Sequence, residues 1–403
     1  MHTERVSFKH KCVFFLGAGF SADAGIPAQK KLLQTYLSNY DTNKERREMI
    51  LDFLADVYRF NYTKPRSIED KKDRNIYPNL EDVFSLLDNA IVNSEYIGKF
   101  DPSELTNIRK HFVSGIMNTI NQSVNDYRYI KEFAQLLTDK RIDSDVNDPF
   151  SIITTNWDII LLNRFREYHD TIIEKYSEGK SLSEISQSKN IDRKKIALID
   201  YCIYTHALRD YENHVPSFKI KCMGYKNIKL LNLHGSPIWL ICQKCKKIFS
   251  PPTYDKDKRY EKDALPVINN DQVPCPLCNK PKRTMFPILI MPTYLKIIQN
   301  VHLLDVWQNA AMELQEAGNI YFIGYSLPEA DYLIRYLFVS NIKKNAKIFV
   351  STQEDSVSKT KNNYRKLFGS RIRKKSLLVG DGREVVNGLC DQIKDGEIKC
   401  FQS

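Results

Sequence analysis

Long apolar runs are missing from this 403-residue chain. None reaches the ~18 residues that a membrane-spanning helix needs, so no membrane partner is expected. The opening, MHTERVSFKH, is polar and leads straight into an apolar run, so no signal peptide is expected and the cytoplasm is the expected compartment. There is no internal repeat and no low-complexity tract. Cysteine does not have the pattern of a disulfide framework: two of its nine residues' spacings are CxxC pairs, which fits metal binding in a reducing compartment. Acidic residues are outnumbered, leaving a net charge of +11. That balance allows nucleic acid or another acidic partner, although solvated basic faces would give the same count. KSLSEISQSKNIDRKK and RKLFGSRIRKK are the densest basic stretches. At 42% the apolar fraction is ordinary for a globular chain and can supply a sizeable core.

The chain is organised around residues 11–30, KCVFFLGAGFSADAGIPAQK. Cys12 to Leu16 is short and apolar, as a buried strand would be. Gly17, Gly19 and Gly25 break it, with Ser21 between them. Pro27 and the run KKLLQTYL then read as the start of a helix. Strand, glycine loop and helix bring backbone N–H groups and a helix N-terminus up to an anion such as a diphosphate. The dinucleotide fingerprint GxGxxG is not complete, because Ala22 stands where its third Gly belongs. A tight turn after a buried strand gives the same pattern with no ligand.

Residues 41–150 have few glycines and read as a helical insertion. ERREMILDFLADVYRF, NLEDVFSLLDNAI with Asn79 as N-cap, and the segment from Glu104 to Leu137 have helical spacing. At PFSIITTNWDII the pattern changes. Ser151 to Thr154 is β-branched and reads as a second parallel strand, with Thr155, Asn156 and Asp158 at its C-terminal end, where open α/β sheets bind ligands. An Asx cap on the following helix would use Asn156 or Asp158 equally well. Residues 165–225 read as mostly helical and polar, and SLSEISQSKNIDRKKI only faintly resembles a helix-turn-helix. Ile228 to Leu233 reads as a strand ending in His234-Gly235, where glycine lets the backbone turn and present the imidazole at the sheet edge.

Cys242-x2-Cys245 and Cys275-x2-Cys278 form two knuckles that together supply four thiolates to one tetrahedral metal. Four protein ligands leave no open position, so a structural Zn2+ is expected. Cys12, Cys202, Cys222, Cys390 and Cys400 are scattered and read as packing residues. From Thr284 the alternation of strand and helix resumes. Strands at Asn319–Ile323, Ala346–Val350 and Ser376–Val379 end in Gly324-Tyr325-Ser326, Ser351-Thr352 and Gly380-Asp381-Gly382. The pattern describes an α/β fold, a doubly wound Rossmann-like parallel sheet with helical insertions and a small zinc-ribbon module.

Taken in order, these residues resemble the motifs of a sirtuin domain. GAGFSADAGIP is similar to GAGxSxxxGIP, TTNWD to TQNID, and LHG to the catalytic His-Gly. The CxxC pairs match the zinc ribbon, GYSL the GTSL loop, and GDGREVV the adenine-side loop. Three features depart from the deacylases, one of them Thr155 in place of the Gln of TQNID. Ala28-Gln29 replaces Phe-Arg after GIP, and MPTYLK stands where an FGE motif binds acyl-lysine peptide. With GYSLPEAD and NLEDVFSLL, the chain resembles the sirtuin-like NAD hydrolases of bacterial anti-phage defence. That resemblance implies a cytoplasmic NAD+ hydrolase, an antiviral effector of abortive infection, acting as a homo-oligomer alone or beside a HerA-type ATPase or an Argonaute. It implies NAD+ as substrate, with Asn156, Asp158 and His234 catalytic. Gly17, Ala18, Gly19, Ser21, Thr155, Gly324, Ser326, Asp381 and Gly382 would bind the dinucleotide. It divides the chain into a Rossmann-like start at 1–40, a helical insertion at 41–148, a continued Rossmann-like part at 149–237, a zinc ribbon at 238–284 and a C-terminal Rossmann-like part at 285–403. An NAD+-dependent protein deacylase and a non-catalytic NAD- or ADP-ribose-binding scaffold are the alternatives.

Overall fold

The structure, a computed structural model, describes residues 11–38, 44–63, 75–177, 192–203, 206–207, 224–242, 244–250, 273–278, 284–291, 293, 300–329 and 331–401. Cys222 and most of the segment with the faint helix-turn-helix pattern lie outside the described residues.

β1 (Cys12–Leu16) is buried along its whole length. A parallel strand covered on both faces needs such an unbroken apolar run. The chain then passes through the Gly17–Gly25 loop into α1 (Gln29–Ser38), followed by α2 (Lys44–Tyr58), α3 (Leu80–Asn93), α4 (Pro102–Ser123) and α5 (Arg128–Asp143). Side chains set the starts of two of these helices. Asn79 accepts a hydrogen bond from the Glu81 N–H at 3.2 Å, and Asp101 and Glu104 cap one another around Pro102. β2 (Phe150–Thr154) and α6 (Ile160–Ser177) come next, then β3 (Ala197–Asp200), β4 (His206–Ala207) and β5 (Lys226–Asn232). Among the described residues of 165–225, expected to be mostly helical, α6 is joined by β3 and β4, which the sequence does not announce. ALID is too short and too mixed in character to announce itself as a strand.

β6 (Gly235–Cys242), β7 (Ile248–Ser250), β8 (Val273–Pro274) and β9 (Thr284–Leu289) follow. The rest is α7 (Val301–Glu316), β10 (Asn319–Ile323), α8 (Tyr332–Asn341), β11 (Lys347–Thr352), α9 (Val357–Phe368), β12 (Leu377–Val379) and α10 (Gly382–Lys394). No helix among the described residues is long and apolar enough to cross a membrane.

Seven strands form one parallel sheet in the order β12-β11-β10-β1-β2-β5-β3. This is a doubly wound, Rossmann-like sheet. Cys12–Leu16 registers with Asn319–Ile323 on one side and Phe150–Thr154 on the other. The chain winds outward from β1 through β2, then returns to β10 on the opposite side. The strand order therefore reverses between β1 and β10, which opens a crevice at their C-terminal ends. Successive β1 side chains point to opposite faces. Phe14 meets Phe133 of α5 at 5.5 Å between ring centroids, and Phe15 meets Phe338 of α8 at 4.9 Å. Helices thus cover both faces.

A second sheet has the order β4-β7-β6-β9-β8. Its strand β9 pairs antiparallel with β6. The stretch from Thr284 therefore does not rejoin the parallel sheet, as the alternation in sequence suggests. The parallel sheet resumes only at β10.

Candidate active site

Four turns leave the C-terminal ends of β1, β2, β5 and β10 and meet at the crevice. Two of them touch backbone to backbone. Gly324 has φ +66°, and a Cβ there would lie 2.0 Å from the Phe20 nitrogen. Across the contact, a Cβ on Gly17 or Gly19 would lie 2.7 Å from the Gly324 oxygen or 2.8 Å from its Cα. No side chain fits in either place. The Gly17 N–H donates to Ile323 O at 2.9 Å and the Gly19 N–H to Gly324 O at 2.8 Å. These glycines join the two turns, and their amides are spent on that joint. Gly324 N–H in turn donates to Ser351 Oγ at 2.7 Å.

Ser21 is fully buried behind the cleft. Its Oγ donates to Asp158 Oδ2 at 2.8 Å and accepts from Asn156 Nδ2 at 3.2 Å. One hydroxyl therefore fixes both side chains of the TTNWD turn. Asp158 Oδ1 also accepts from Ile160 N–H at 3.3 Å, so the same carboxylate caps the start of α6. Helix capping and the site are served together. Asn156 Oδ1 is buried and accepts no hydrogen bond among the described residues.

His234 is only 6% exposed. Its Nδ1 lies 3.1 Å from Thr155 O. A carbonyl oxygen can only accept, so Nδ1 carries the hydrogen, and in the neutral ring Nε2 carries the lone pair. Thr155 is itself held by its N–H to Leu16 O at 3.1 Å. Gly235 has φ +76°, and a Cβ there would lie 2.0 Å from Ile288 O. The His-Gly pair thus turns against β9. Just beyond, the Ile290 N–H donates to His234 O at 2.9 Å, and Ile290 O accepts from the Trp157 indole at 3.2 Å.

These groups line a cavity of about 140 Å³. Ala18, Thr155, Asn156, Asp158, His234, Gly324 and Ser326 all face it. The far wall comes from α1, α3 and α4, through Gln29, Glu81 and Ile120, with Gln29 Nε2 donating to Glu81 Oε1 at 3.1 Å. The sequence reading missed Gln29 and Glu81. Both fall in stretches singled out above, Ala28-Gln29 and NLEDVFSLL, but nothing local gives either a place in the site, because their contact joins residues 52 apart in sequence. Asp331 also faces the cavity and accepts from the Tyr325 hydroxyl at 2.6 Å. Burial first, and then this neighbouring carboxylate, push the Tyr325 phenol well above its ordinary value.

Gly17, Gly19, Ser21, Asp381 and Gly382 do not line the cavity. Asp381 caps α10 by accepting from Glu384 N–H at 2.8 Å. A Cβ on Gly382 would lie 2.4 Å from Gly19 O, and Arg383 N–H donates to Asp23 Oδ2 at 3.0 Å. The 381–383 turn therefore backs the glycine loop from behind.

The four cysteines of the two knuckles come together beside β6 and β9. Their sulfurs all lie within 4.8 Å of one another, with Cys242–Cys278 at 3.8 Å and Cys245–Cys275 at 3.7 Å. A tetrahedron with Zn–S bonds of about 2.3 Å has S···S edges of about 3.8 Å. The donor set and its spacing are compatible with a structural zinc ion. Such an ion would cross-link the knuckles and leave no position for substrate.

No family model and no curated protein matches the chain. Among solved structures it is similar to a Sir2 homologue in complex with NAD, at 14% identity over 97% of this chain and 92% of that one, with a TM-score of 0.38. It is also similar to a mutant Sir2 homologue in complex with 2′-O-acetyl ADP ribose, at 14% identity over 96% and 92%, with a TM-score of 0.44. A third is a structure reported on the mechanism and regulation of Sir2 enzymes, at 14% identity over 96% and 95%, with a TM-score of 0.40.

Proposed function

We propose that the chain hydrolyses NAD+ at the nicotinamide–ribose bond, giving nicotinamide and ADP-ribose. The observation that carries this reading is that Asn156 and Asp158, tied together by Ser21 from behind, face one cavity with His234. Asn156 orients the ribose and the water through its amide. Asp158 holds the nicotinamide carboxamide. His234 accepts a proton at Nε2 while its Nδ1–H stays on Thr155 O. Water attacks the anomeric carbon as the C–N bond breaks, and the bonding pair goes to the nicotinamide nitrogen. The leaving group starts as a cation and departs neutral, so no acid is required. The proton of the water passes to His234 and then to solvent. Holding the ribose and one water in place lowers the entropic part of the barrier. Ala18, Thr155, Gly324 and Ser326 line the side where the ribose and phosphates would lie, backed by Gly17, Gly19, Asp381 and Gly382.

Two features favour water over a peptide as acceptor. A peptide that adds as a strand needs unused backbone groups at its docking edge. At Ile290, beside His234, both the N–H and the C=O are already engaged. MPTYLK also stands where the deacylases carry the FGE motif that binds acyl-lysine peptide. The Cys242, Cys245, Cys275 and Cys278 site would hold Zn2+ as a brace for β6, the strand that follows His234.

Purified protein incubated with NAD+ and analysed by mass spectrometry tests the reading. Nicotinamide and ADP-ribose are expected, with the activity lost in folded Asn156→Ala and His234→Ala. Both variants consuming NAD+ at the wild-type rate would overturn the site. O-acyl-ADP-ribose formed with an acyl-lysine peptide would make the chain a deacylase. An activity that empties its own cell of NAD+ fits an effector held back until infection. We place it in the cytoplasm in anti-phage defence, as a homo-oligomer with a HerA-type ATPase or Argonaute as partner. A fall of the NAD+ pool in infected cells that express the wild type, and not His234→Ala, is the expected result.

A further inference from the structure

Net positive charge is concentrated in one part of the chain. Between Tyr332 and Gly380 there are twelve Lys and Arg against two acids, Glu354 and Asp355. That segment alone has a net +10, against +11 for the whole chain. Two turns present half of these cations. Lys343, Lys344 and Lys347 lead into β11, and Arg373, Lys374 and Lys375 precede β12; all six are exposed. Half-buried Arg371 ties the turns together, donating from Nη2 to Lys343 O at 2.9 Å and Ala346 O at 2.8 Å. The two clusters therefore form one surface.

Its position follows from the topology. Both turns lie at the N-terminal ends of parallel strands, whereas the cavity lies at the C-terminal ends. The basic surface and the cleft occupy opposite edges of the sheet. No structural task accounts for the six cations. Among the described residues none has a carboxylate within 4.0 Å, although Lys366 nearby reaches Glu329 at 3.0 Å. Such a cluster repels itself and is stable only because it is solvated.

We propose that this edge binds the phosphate backbone of double-stranded nucleic acid without regard to sequence. A duplex carries one charge per ~1.7 Å of its axis, a spacing that a cluster of separate cations can follow. No large apolar side chain between Lys343 and Ser376 is exposed. The two turns themselves therefore offer no wedge for a bilayer and no aromatic platform for unpaired bases, and the exposed Val339 and Tyr336 lie on the preceding helix α8. Backbone contacts made by lysine and arginine alone give affinity and no base readout.

Salt dependence is the diagnostic. Six phosphate contacts give a slope of log K on log salt near −5, or a loss of about 10³-fold between 50 and 200 mM. Fluorescence anisotropy with a labelled random-sequence 20-bp duplex measures it. The quadruple variant Lys343→Ser, Lys344→Ser, Lys374→Ser, Lys375→Ser retains two of the six contacts. Its slope should fall to about −2, a loss of about tenfold over the same range. Its melting temperature and its NAD+ consumption should match the wild type, since none of the four residues touches the cavity. Failure of the wild type to bind duplex at 50 mM salt overturns the proposal. So does an unchanged slope in the variant. Tighter binding to vesicles with one quarter phosphatidylserine, lost in the same variant, would reassign the surface to membranes.

Discussion

Removing one hydroxyl should loosen the whole TTNWD turn. Ser21 is fully buried, donates to the Asp158 carboxylate and accepts from the Asn156 amide. Ser21→Ala deletes a hydrogen bond to a charged group, worth about 1.5–3 kcal/mol, and one between neutral groups, worth about 0.5–1.5 kcal/mol. The expected destabilisation is about 2–4 kcal/mol. Asp158→Ala deletes the same charged bond and also the cap on α6, worth about 0.5–2 kcal/mol more. The two changes share one interaction, so they cannot add. Urea unfolding of the wild type, both single variants and the double variant gives the coupling energy directly. We expect about 1.5–3 kcal/mol. Additivity within about 0.5 kcal/mol would refute the reasoning, because it would mean that Ser21 and Asp158 do not act as a unit.

Other outcomes follow from the same contacts. Gly324→Ala places a Cβ 2.0 Å from the Phe20 nitrogen, while Gly396→Ala, at a similar φ of +71°, meets nothing within 4 Å. Gly396→Ala should cost only the left-handed backbone term, about 1–2 kcal/mol, and Gly324→Ala several times that in thermal unfolding; equal costs would remove the case for a tight joint between the turns. Burial pushes the His169 imidazole down to about 4, from an ordinary value of about 6.5. The unfolded chain then binds more protons between those values, so stability is full above about pH 6.5 and falls by about 3 kcal/mol as pH drops to 4. His169→Leu should flatten that part of the wild-type pH profile, and an unchanged slope would count against it. Protein purified from zinc-supplemented cells should carry one zinc per chain by atomic emission, lost in Cys275→Ser/Cys278→Ser together with several degrees of melting temperature. A wild-type content near zero would sink the metal assignment.

Much of this arrangement can be read from the sequence, for identifiable reasons. β1, β2 and β10 are short, largely apolar runs closed by glycine or threonine, and such strands advertise themselves because both faces are covered. Asn79 behaves as its position suggests. β3 has a four-residue pattern with two half-buried members, too weak a signal to break a helical reading. β9 reads correctly as a strand, but pairing is long-range, and nothing in TMFPIL tells that its neighbour is β6. The glycines of the first loop are legible as special, and their reason differs in part from the expected one. At Gly17 and Gly19 the missing side chains make room for the Gly324 turn. Asp158 combines two readings that look exclusive in the sequence, a helix cap and a site residue. Glu81 enters the cavity wall only because the inserted helices fold back over the sheet to meet Gln29 of α1, and no local pattern encodes that.

The central claim is that water, and no peptide, takes the ribose from nicotinamide. Nicotinamide release by the wild type should be measured with and without an acyl-lysine peptide, beside His234→Ala. The account predicts the same rate in both conditions and none in the variant. Release that begins only when the peptide is added would contradict it.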